Sequence, residues 1–525
     1  MKKINPHSDT VRPEITSGNN LPLWFTKKDL LLTFDTLNKN TTTDILVIGG
    51  GISGLTTAYC LAKKGRKVIL VEDGNLGSGE TGRTTAHITC ALDDRYFAIE
   101  KTFDEKTSAL VANSHMAAIE FIDTTVKLNA INCHFKRVDG YLFLHPEDSS
   151  ETLEKEYEAT KRAGLTTHML SEIPNIHAEK GSHCIQFPNQ AQFHSLLYLE
   201  GLAKAFVALG GQIYTETRAE NISSEGAKAN GFTISSNHVV VATNTPINDW
   251  VTIHTKQWPY RTYVIAARVP KGKIPYALWW DTGNPNVKSA AYHYARLEEF
   301  DSNYDILIVG GEDHRTGQEQ DEMNDESQRY NKLELWSKKH FPEMESVEFR
   351  WSGQVMEPLD SLAYIGKNPG DDNIYIITGD SGNGITHGTL GGMIISDLIT
   401  GVDNAWAEIY DPSRITLNVT GQYLSEAGNM VAQYADWFGD DGITDVKELM
   451  AGEGAIISSG FKKLAVYKDE NDQLHTCSGV CPHLGGVLRW NKEEKTFDCP
   501  LHGSRFNWEG KLLNGPANSD LKSIE

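Results

Sequence analysis

A short apolar run extends from Asp44 to Ile48 and is followed by a glycine-rich turn. Apolar positions then recur with helical spacing through Lys64, and a second apolar run extends from Lys67 to Val71. A short apolar run bounded by turn residues is typical of a buried strand, and apolar positions every three to four residues are typical of a helix. The pattern therefore predicts strand, turn, helix and strand in that order.

Further along, the pattern changes twice. Several strands in residues 135–235 and 255–350 alternate apolar and polar positions, which predicts an antiparallel sheet with one face in water. Residues 411–440 show an amphipathic helical pattern that suits a connector, and residues 1–40 read as a polar arm. No apolar run reaches eighteen residues, so no transmembrane segment is predicted.

The candidate chemistry begins near the C-terminus. Cys481 and His483 form a Cys-x-His pair, and Cys499 and His502 form a Cys-x-x-His pair after fifteen intervening residues. Two cysteines and two histidines are the ligands of a Rieske [2Fe–2S] cluster, although a zinc ion accepts the same ligand types. Each pair is followed by glycine, at Gly485 and Gly503, which suits backbone that approaches inorganic sulfides closely. The glycines favour the cluster over zinc.

The turn after the first strand reads Gly49-Gly50-Gly51-Ile52-Ser53-Gly54, and Glu72 ends the next strand. A GxGxxG turn between a strand and a helix, with a carboxylate about twenty residues on, indicates a dinucleotide site. Gly49 allows the tight turn, Gly51 lets a pyrophosphate approach, and Gly54 lets helix and strand pack closely. Glu72 would hold the adenosine ribose. The motif alone leaves FAD and NAD open.

Three later stretches, residues 77–85, 239–246 and 373–384, follow in an order that resembles the FAD-dependent D-amino-acid oxidase and glycine oxidase superfamily. The resemblance covers about residues 40–410. With the cluster motif, the chain is similar to FAD-dependent oxidoreductases that carry a C-terminal Rieske domain. The FAD-binding positions it implies are Gly49, Gly51, Ile52, Ser53, Gly54, Glu72, Arg83, Thr84, Thr85, Ala242, Thr243, Gly379, Gly382, Asn383, Gly384 and Ile385.

The resemblance also implies the fold class: an α/β FAD-binding Rossmann-like domain of the glutathione-reductase type, an antiparallel-sheet substrate domain, and a small all-β Rieske domain. The expected organisation is an arm (1–40), an oxidoreductase domain (41–410) with substrate-domain insertions at about 135–235 and 255–350, a connector (411–440) and a Rieske domain (441–525). Arg83 stands where some relatives bind flavin covalently through histidine, so noncovalent FAD is expected.

The Rieske loops depart from the higher-potential members of that family. Those members carry a further cysteine in each loop, where this chain has Gly486 and Leu501. Phe506 stands where some members have a tyrosine, which removes one hydrogen-bond donor, while Ser504 is kept. Donors to the cluster sulfurs raise the reduction potential. A potential below that of the respiratory-chain type is predicted.

Substrate residues are suggested by the strand that begins near Tyr292. In amine- and amino-acid-oxidising relatives a corresponding strand carries an arginine that clamps the substrate carboxylate, and Arg296 is the matching position. A guanidinium suits that role because it makes two parallel charge-assisted hydrogen bonds. Arg296 as a surface or interdomain arginine is the alternative. Tyr292 and Tyr294 either face the flavin or belong to the core.

Charge and cysteine content narrow the partners. The formal net charge of −21 disfavours nucleic acid and anionic membranes. The seven cysteines are scattered apart from the ligand pairs, which suits a reducing cytoplasm, and no secretory signal is visible. The expected partners are a small amine or amino-acid substrate and an external one-electron acceptor.

The function predicted from these features is a dehydrogenase that oxidises a C–N bond at FAD and passes electrons through the cluster to that acceptor. The main alternative is a flavin–Rieske electron-transfer protein or reductase that serves a partner enzyme, although no second GxGxxG for a nicotinamide is present. A redox sensor and a Rieske non-haem oxygenase are weaker alternatives, because neither a basic stripe for DNA nor a 2-His-1-carboxylate iron site is found.

Overall fold

The computed structural model describes residues 18, 20–26, 30, 33–178, 182–248, 253–286, 292–318, 326–416, 418, 428–430, 432–437, 446–460 and 462–524. Most of the arm predicted for residues 1–40, and much of the connector predicted for residues 411–440, lie outside the described residues. Within the described part, no helix is long and apolar enough to cross a membrane.

The strands, in chain order, are β1 (Thr41–Ile48), β2 (Val68–Val71), β3 (His87–Ile88), β4 (Lys136–Phe143), β5 (His168–Leu170), β6 (Cys184–Gln192), β7 (Gln212–Tyr214), β8 (Ala219–Ser223), β9 (Gly226–Ala229), β10 (Phe232–Val241), β11 (Gln257–Pro270), β12 (Leu278–Asp281), β13 (His293–Glu299), β14 (Tyr304–Arg315), β15 (Val347–Pro358), β16 (Tyr364–Lys367), β17 (Ile374–Thr378), β18 (Gly454–Ser459), β19 (Lys462–Lys468), β20 (Leu474–Ser478), β21 (Arg489–Asn491), β22 (Thr496–Asp498), β23 (Arg505–Asn507) and β24 (Leu512–Asn514).

The α-helices are α1 (Ile52–Lys63), α2 (Tyr96–Thr102), α3 (Glu105–Leu128), α4 (Ser150–Arg162), α5 (Ser195–Ala208), α6 (Glu326–His340), α7 (Gly384–Thr400) and α8 (Ala407–Tyr410). Short 3₁₀ helices occupy Leu23–Thr26, Glu80–Gly82, Ile253–Thr255, Tyr434–Trp437 and Val446–Glu448.

A parallel sheet carries the dinucleotide motif, in the order β16-β17-β10-β1-β2-β7 with β16 antiparallel at one edge. Alternate residues of β1 enter two different cores: Ile45 and Val47 pack on the side of α1, and Leu46 and Ile48 pack on the other side. Burial on both faces explains why this strand is continuously apolar. Strands β7, β8 and β9 fall inside the insertion predicted at 135–235 but join this sheet.

The second large sheet follows the order β15-β11-β14-β13-β12-β4-β6-β3, with antiparallel pairing at every step except β12 with β4. The expectation of one wet face is wrong for its central strands. Helix α6 covers that face, and Tyr330 and Leu333 of α6 pack in one core with Tyr263 and Ile265 of β11. The opposite face of β11 is buried in the main core.

The C-terminal region is all-β. Strands β18, β19 and β20 form one antiparallel sheet, and β21 to β24 form a second. The loop between β20 and β21 carries Cys481 and His483, and the loop between β22 and β23 carries Cys499 and His502. This region packs against the other two sheets rather than standing apart, and that contact shapes the site described next.

Candidate functional site

The glycine-rich turn after β1 has the geometry of a dinucleotide cradle. Gly49 has φ of +109°, which favours glycine, and a Cβ there would meet the carbonyl group of Ala242. A Cβ at Gly54 would overlap the carbonyl oxygen of Gly49, so helix α1 could not start so close to the strand with any larger residue. Gly51 precedes the first residue of α1. Gly51, Ile52 and Ser53 at this helix start line a cavity, and a helix N-terminus suits a phosphate. The Ile52 amide donates to Thr81 Oγ1 at 3.0 Å.

Glu72 lies at the end of β2 and lines the same cavity. Its Oε2 accepts a hydrogen bond from the Gly50 amide at 2.5 Å, and its Oε1 accepts one from the Gly74 amide at 3.1 Å. Burial, followed by the neighbouring Asp73, holds the pKa of Glu72 well above its usual range. Ribose hydroxyls would supply donors to this carboxylate.

The cavity has a volume of about 260 Å³ and runs along the carboxyl ends of β1 and β2. All the FAD-binding positions predicted from the sequence line it except Gly54, whose part is packing. Arg83 lines the cavity, but its guanidinium donates elsewhere, to Ser352 O at 2.6 Å and to Glu494 Oε1 at 3.1 Å.

The loop of residues 379–384 closes another side of the cavity. It leads into α7, which begins at Gly384. The Asn383 side chain accepts a hydrogen bond from the Asp93 amide and donates one to Ala91 O, both at 3.3 Å. Gly384 and Ile385, the first residues of α7, line the cavity. The positive end of the α7 dipole therefore lies at the cavity wall, where it would stabilise negative charge on a bound group.

We call the part of the cavity formed by Asp93, Thr262, Tyr292, Tyr294 and Asp313 the tyrosine end. Tyr292 donates a hydrogen bond to Asp93 Oδ2 at 2.5 Å, and the hydroxyls of Tyr294 and Thr262 are 2.8 Å apart. The two tyrosine rings have centroids 5.4 Å apart. Both tyrosines thus line the cavity, which agrees with the alternative that they face the flavin rather than belong to the core.

Arg296 is placed elsewhere, and its assignment as a carboxylate clamp is corrected. It is fully buried outside the cavity lining, and its guanidinium donates to Glu298 Oε2 at 2.8 Å and to the carbonyl oxygens of Thr85, Leu297 and Phe193. Its guanidinium also lies over the Trp24 ring. Side chains on one face of a strand repeat at about 6.6 Å. Arg296 is therefore one repeat beyond Tyr294 and past the end of the cavity.

The two cluster loops have the same backbone pattern. The Cys481 amide donates to Gly486 O at 2.9 Å and the Cys499 amide donates to Ser504 O at 2.8 Å. Within the loops, Gly485 donates to Cys481 O at 3.1 Å and Gly503 donates to Cys499 O at 3.0 Å. Two matching turns hold the two ligand pairs opposite each other.

The ligand side chains are sorted by type. The thiols of Cys481 and Cys499 are hydrogen-bonded to each other, and the rings of His483 and His502 have centroids 5.0 Å apart. His502 Nδ1 is buried and has no hydrogen-bond partner among the described residues. In that part of the chain, no three His, Cys, Asp or Glu side chains converge as a single-ion site needs. Separate cysteine and histidine pairs fit a two-iron cluster better than one zinc ion.

The cluster loops pack directly on the cavity wall. The Gln354 side chain lines the cavity and donates from Nε2 to Gly503 O at 2.9 Å, next to His502. The His254 ring lies 5.1 Å from the His483 ring and 5.9 Å from the His502 ring, centroid to centroid. His254 and Gln354 went unnoticed in the sequence because no local spacing connects them to the cluster motif.

A buried ion cluster joins the same two regions. Glu494, between β21 and β22, is 1% exposed in its side chain and accepts hydrogen bonds from the Ser352 amide and from Arg83, each at 3.1 Å; Arg261 lies 3.7 Å away. Burial alone would raise the pKa of Glu494, but Arg83, Arg261 and Arg505 lower it to about 2. The carboxylate is thus held ionised at the contact between the domains.

The comparisons with known proteins agree with this geometry. Residues 44–398 match the model of the family described as FAD dependent oxidoreductase. The chain belongs to the FAD-dependent oxidoreductase family. Residues 442–525 of this oxidoreductase match the model of the Rieske [2Fe-2S] domain. Both predicted cofactors, FAD and a [2Fe–2S] cluster, are confirmed, as are the three-part fold class and the enzyme class.

Relatives cover either the whole oxidoreductase or its flavin part. A protein of Bacillus subtilis (strain 168) named as a Rieske 2Fe-2S iron-sulfur protein, YhfW, is 30% identical over 96% of this chain and 97% of its own. The gamma-glutamylputrescine oxidoreductase of Escherichia coli (strain K12) is 27% identical over 70% of this chain and 86% of its own. Glycine oxidase from Geobacillus kaustophilus shares the fold, with a TM-score of 0.58 and 18% identity over 72% of this chain and all of that one.

Proposed function

We propose that this oxidoreductase is a dehydrogenase that oxidises a C–N bond of a small amine or amino acid and delivers the electrons through its Rieske cluster to an external acceptor. When bound, FAD accepts a hydride from the carbon next to nitrogen, and the cluster carries electrons one at a time. The relatives named for a diamine derivative and for glycine support a nitrogen-bearing substrate.

One observation carries the proposal: the two histidines predicted to bind the cluster, His483 and His502, lie against the flavin domain. His483 and His502 are 7% and 3% exposed, and they pack on His254. Gln354 reaches from the cavity to the loop of His502. A cluster docked this close to the cavity would receive its electrons within the chain. An enzyme that gave them only to oxygen would not need it.

The residues of the chain would divide the work. The turn of Gly49 to Gly54 and Glu72 bind the dinucleotide, and the α7 start supports negative charge on the bound group. The tyrosine end orients the substrate. The Tyr292 hydroxyl stays protonated and donates its hydrogen bond to Asp93. Burial, followed by the charge of Asp93, raises the pKa of Tyr292 well above its usual range.

The compartment we propose is the reducing cytoplasm. All seven cysteines lack a disulfide partner and are buried, which suits that environment.

The test is anaerobic reduction of the holoenzyme by a panel of amines and amino acids, with flavin absorbance and the EPR signal of the reduced cluster followed together. The expected result is bleaching of the flavin and appearance of the cluster signal with the same substrate. A flavin that is reduced while the cluster stays oxidised would contradict electron transfer from flavin to cluster. Rapid bleaching by NADH or NADPH, with no response to amines, would favour the reductase alternative.

A further inference from the structure

The tyrosine end is unusually acidic for a buried site. Asp93 and Asp313 come from separate segments, the first after β3 and the second in β14, and both line the cavity. Asp93 is anchored by its hydrogen bond from Tyr292, and its carboxylate lies against Gly382 of the loop before α7. Asp313 is 8% exposed, and its Oδ1 has no hydrogen-bond partner among the described residues.

A buried carboxylate oxygen without a donor is costly unless a ligand supplies one. Other carboxylates on the cavity wall are already occupied: Glu80 accepts from the Gln354 amide, and Asp380 accepts from the Met356 amide. Asp313 differs from them because it lines the cavity and has a hydrogen bond with Thr262, while its Oδ1 has no donor among the described residues.

Among the described residues, no cationic side chain that lines the cavity donates a hydrogen bond to Asp313 Oδ1. Arg83 is bound to Ser352 O and Glu494, and Arg218 faces Asp520. Arg218 follows Thr217, whose amide donates to Glu72 O at the opposite end of the cavity. His87 is near the tyrosines, but burial, followed by Arg296, lowers its pKa to about 3 and keeps it neutral. Outside the lining, Arg95 donates to carbonyl oxygens of Leu92 and Asp281, and Arg329 to that of Glu312.

Aromatic rings complete the surroundings. The rings of Tyr292 and Tyr294 stand beside each other, with His87 and Trp280 next to them. The face of an aromatic ring attracts a cation, and a desolvated site strengthens that attraction. Carboxylate oxygens and ring faces together form a site for an organic ammonium group.

We propose that the tyrosine end binds a cationic amine, with its ammonium group on Asp313 and Asp93 and its stem between the tyrosines. A substrate carboxylate is disfavoured there, because it would meet two like charges, and neither Arg95 nor Arg329 is among the described residues that line the cavity. The inference rests on the proposed function and narrows it from amino acids and amines to compounds that present a positive charge at this end of the cavity.

Binding of the cation is linked to pH. Burial raises the pKa of Asp313 to about 7 and that of Asp93 to about 6. The groups that face Asp313 are Thr262, Arg329, Glu312, Asp93 and the two tyrosines. Those that face Asp93 are the two tyrosines, Arg95, Asp94, Asp313, Glu357 and Asp380. A cation binds the ionised carboxylates, so its affinity rises between pH 5 and pH 8 and levels off above the higher pKa.

The experiment measures perturbation of the flavin absorbance of the FAD-loaded enzyme by benzyltrimethylammonium and by benzoate. The quaternary nitrogen of this cation has no lone pair to form a C=N bond, so the probe binds without being oxidised. We expect the cation to bind more tightly than benzoate. Asp313→Asn is expected to weaken the cation about tenfold or more, as loss of a charged partner does, and to leave benzoate unchanged or tighter. Asp372→Asn, at an exposed position, is the matched control and should change neither.

Tighter binding of benzoate, or an Asp313→Asn enzyme that binds the cation as well as the control, would overturn the proposal. If that variant fails to hold FAD, the pH series on the unchanged enzyme decides, and a flat response from pH 5 to pH 8 counts against it. The dehydrogenase function is judged separately. Amines that reduce flavin and cluster despite preferred benzoate binding would sink this inference alone, and cation binding without reduction by any amine would sink only the dehydrogenase.

Discussion

The cluster site takes its four ligands from two neighbouring loops, Cys481–His483 and Cys499–His502, whereas the tyrosine end gathers Asp93, Thr262, Tyr292 and Asp313 from four separate segments. In the cluster site, the two loops repeat one pattern of backbone hydrogen bonds, and each ligand position follows from that local turn. In the tyrosine end, the pairing of β11, β13 and β14 sets the positions. A locally built site keeps a sequence motif, and a site built by strand pairing does not.

The largest expected effect is loss of the cluster, which should distinguish a cysteine that binds iron from a buried cysteine that does not. Cys499→Ser should abolish the cluster and its EPR signal, because serine removes one of the two thiolates on its iron. Cys477→Ser is the matched control: Cys477 is also buried, but it lies on β20 against Ala465 and outside the ligand loops. EPR of the chemically reduced proteins checks both variants, with FAD content measured in parallel. Loss of the cluster in both would contradict the four-ligand assignment.

The same contrast explains what could be predicted from the sequence. The strand–turn–helix around Gly49 to Gly54, Glu72 and the predicted cluster ligands follow from local spacing. The structure brings the first two to one cavity and the predicted ligands together in two facing loops. The prediction for Arg296 rested only on the matching position in relatives. The local sequence does not reveal that its strand continues past the cavity. Asp313 and Gln354 were missed for the same physical reason, since strand register decides which side chains meet. The prediction that one face of β11 meets water was wrong because α6 covers that face. Helix α6 comes much later in the chain, so the local pattern of β11 does not reveal it.

The contact between the two regions gives the next effect. Glu494→Gln removes a buried charge that faces Arg83 and Arg261, and breaking such a pair typically costs about 3–5 kcal/mol. We expect a lower Tm and slower transfer of electrons from flavin to cluster, measured by thermal unfolding and by stopped-flow spectroscopy. Glu509→Gln, on an exposed turn of the same region, is the control. Unchanged transfer despite the lower Tm would show that Glu494 stabilises the fold without setting the docking.

The Glu494 pair also predicts a direction with pH. Its pKa in the folded protein is lowered to about 2, below the ordinary value of 4.5. A carboxyl with a lowered folded pKa stabilises the protein above its ordinary pKa, and that stability is lost as the pH falls toward the folded value. The difference in Tm between the unchanged enzyme and Glu494→Gln should therefore shrink as the pH falls below about 4.5. A difference that stays constant across that range would place the loss in packing rather than charge.

The smallest expected effect tests how far local construction reaches within the cluster site. Ser504 Oγ bonds the Cys481 sulfur and accepts a hydrogen bond from the Ala517 amide at 3.0 Å, so its hydroxyl is oriented from both sides. Ser504→Ala removes a donor that stabilises the reduced, more negative cluster, and its potential should fall. A net hydrogen bond of roughly 1 kcal/mol corresponds to a shift on the order of 40 mV in a one-electron couple. Phe506→Tyr, which is buried on β23, should move the potential the other way if its hydroxyl reaches a sulfur. Redox titrations followed by EPR measure both. A fall with Ser504→Ala and no rise with Phe506→Tyr would mean that the loop sets the potential and the strand beneath it does not, which is the strongest form of the contrast between a local site and an assembled one.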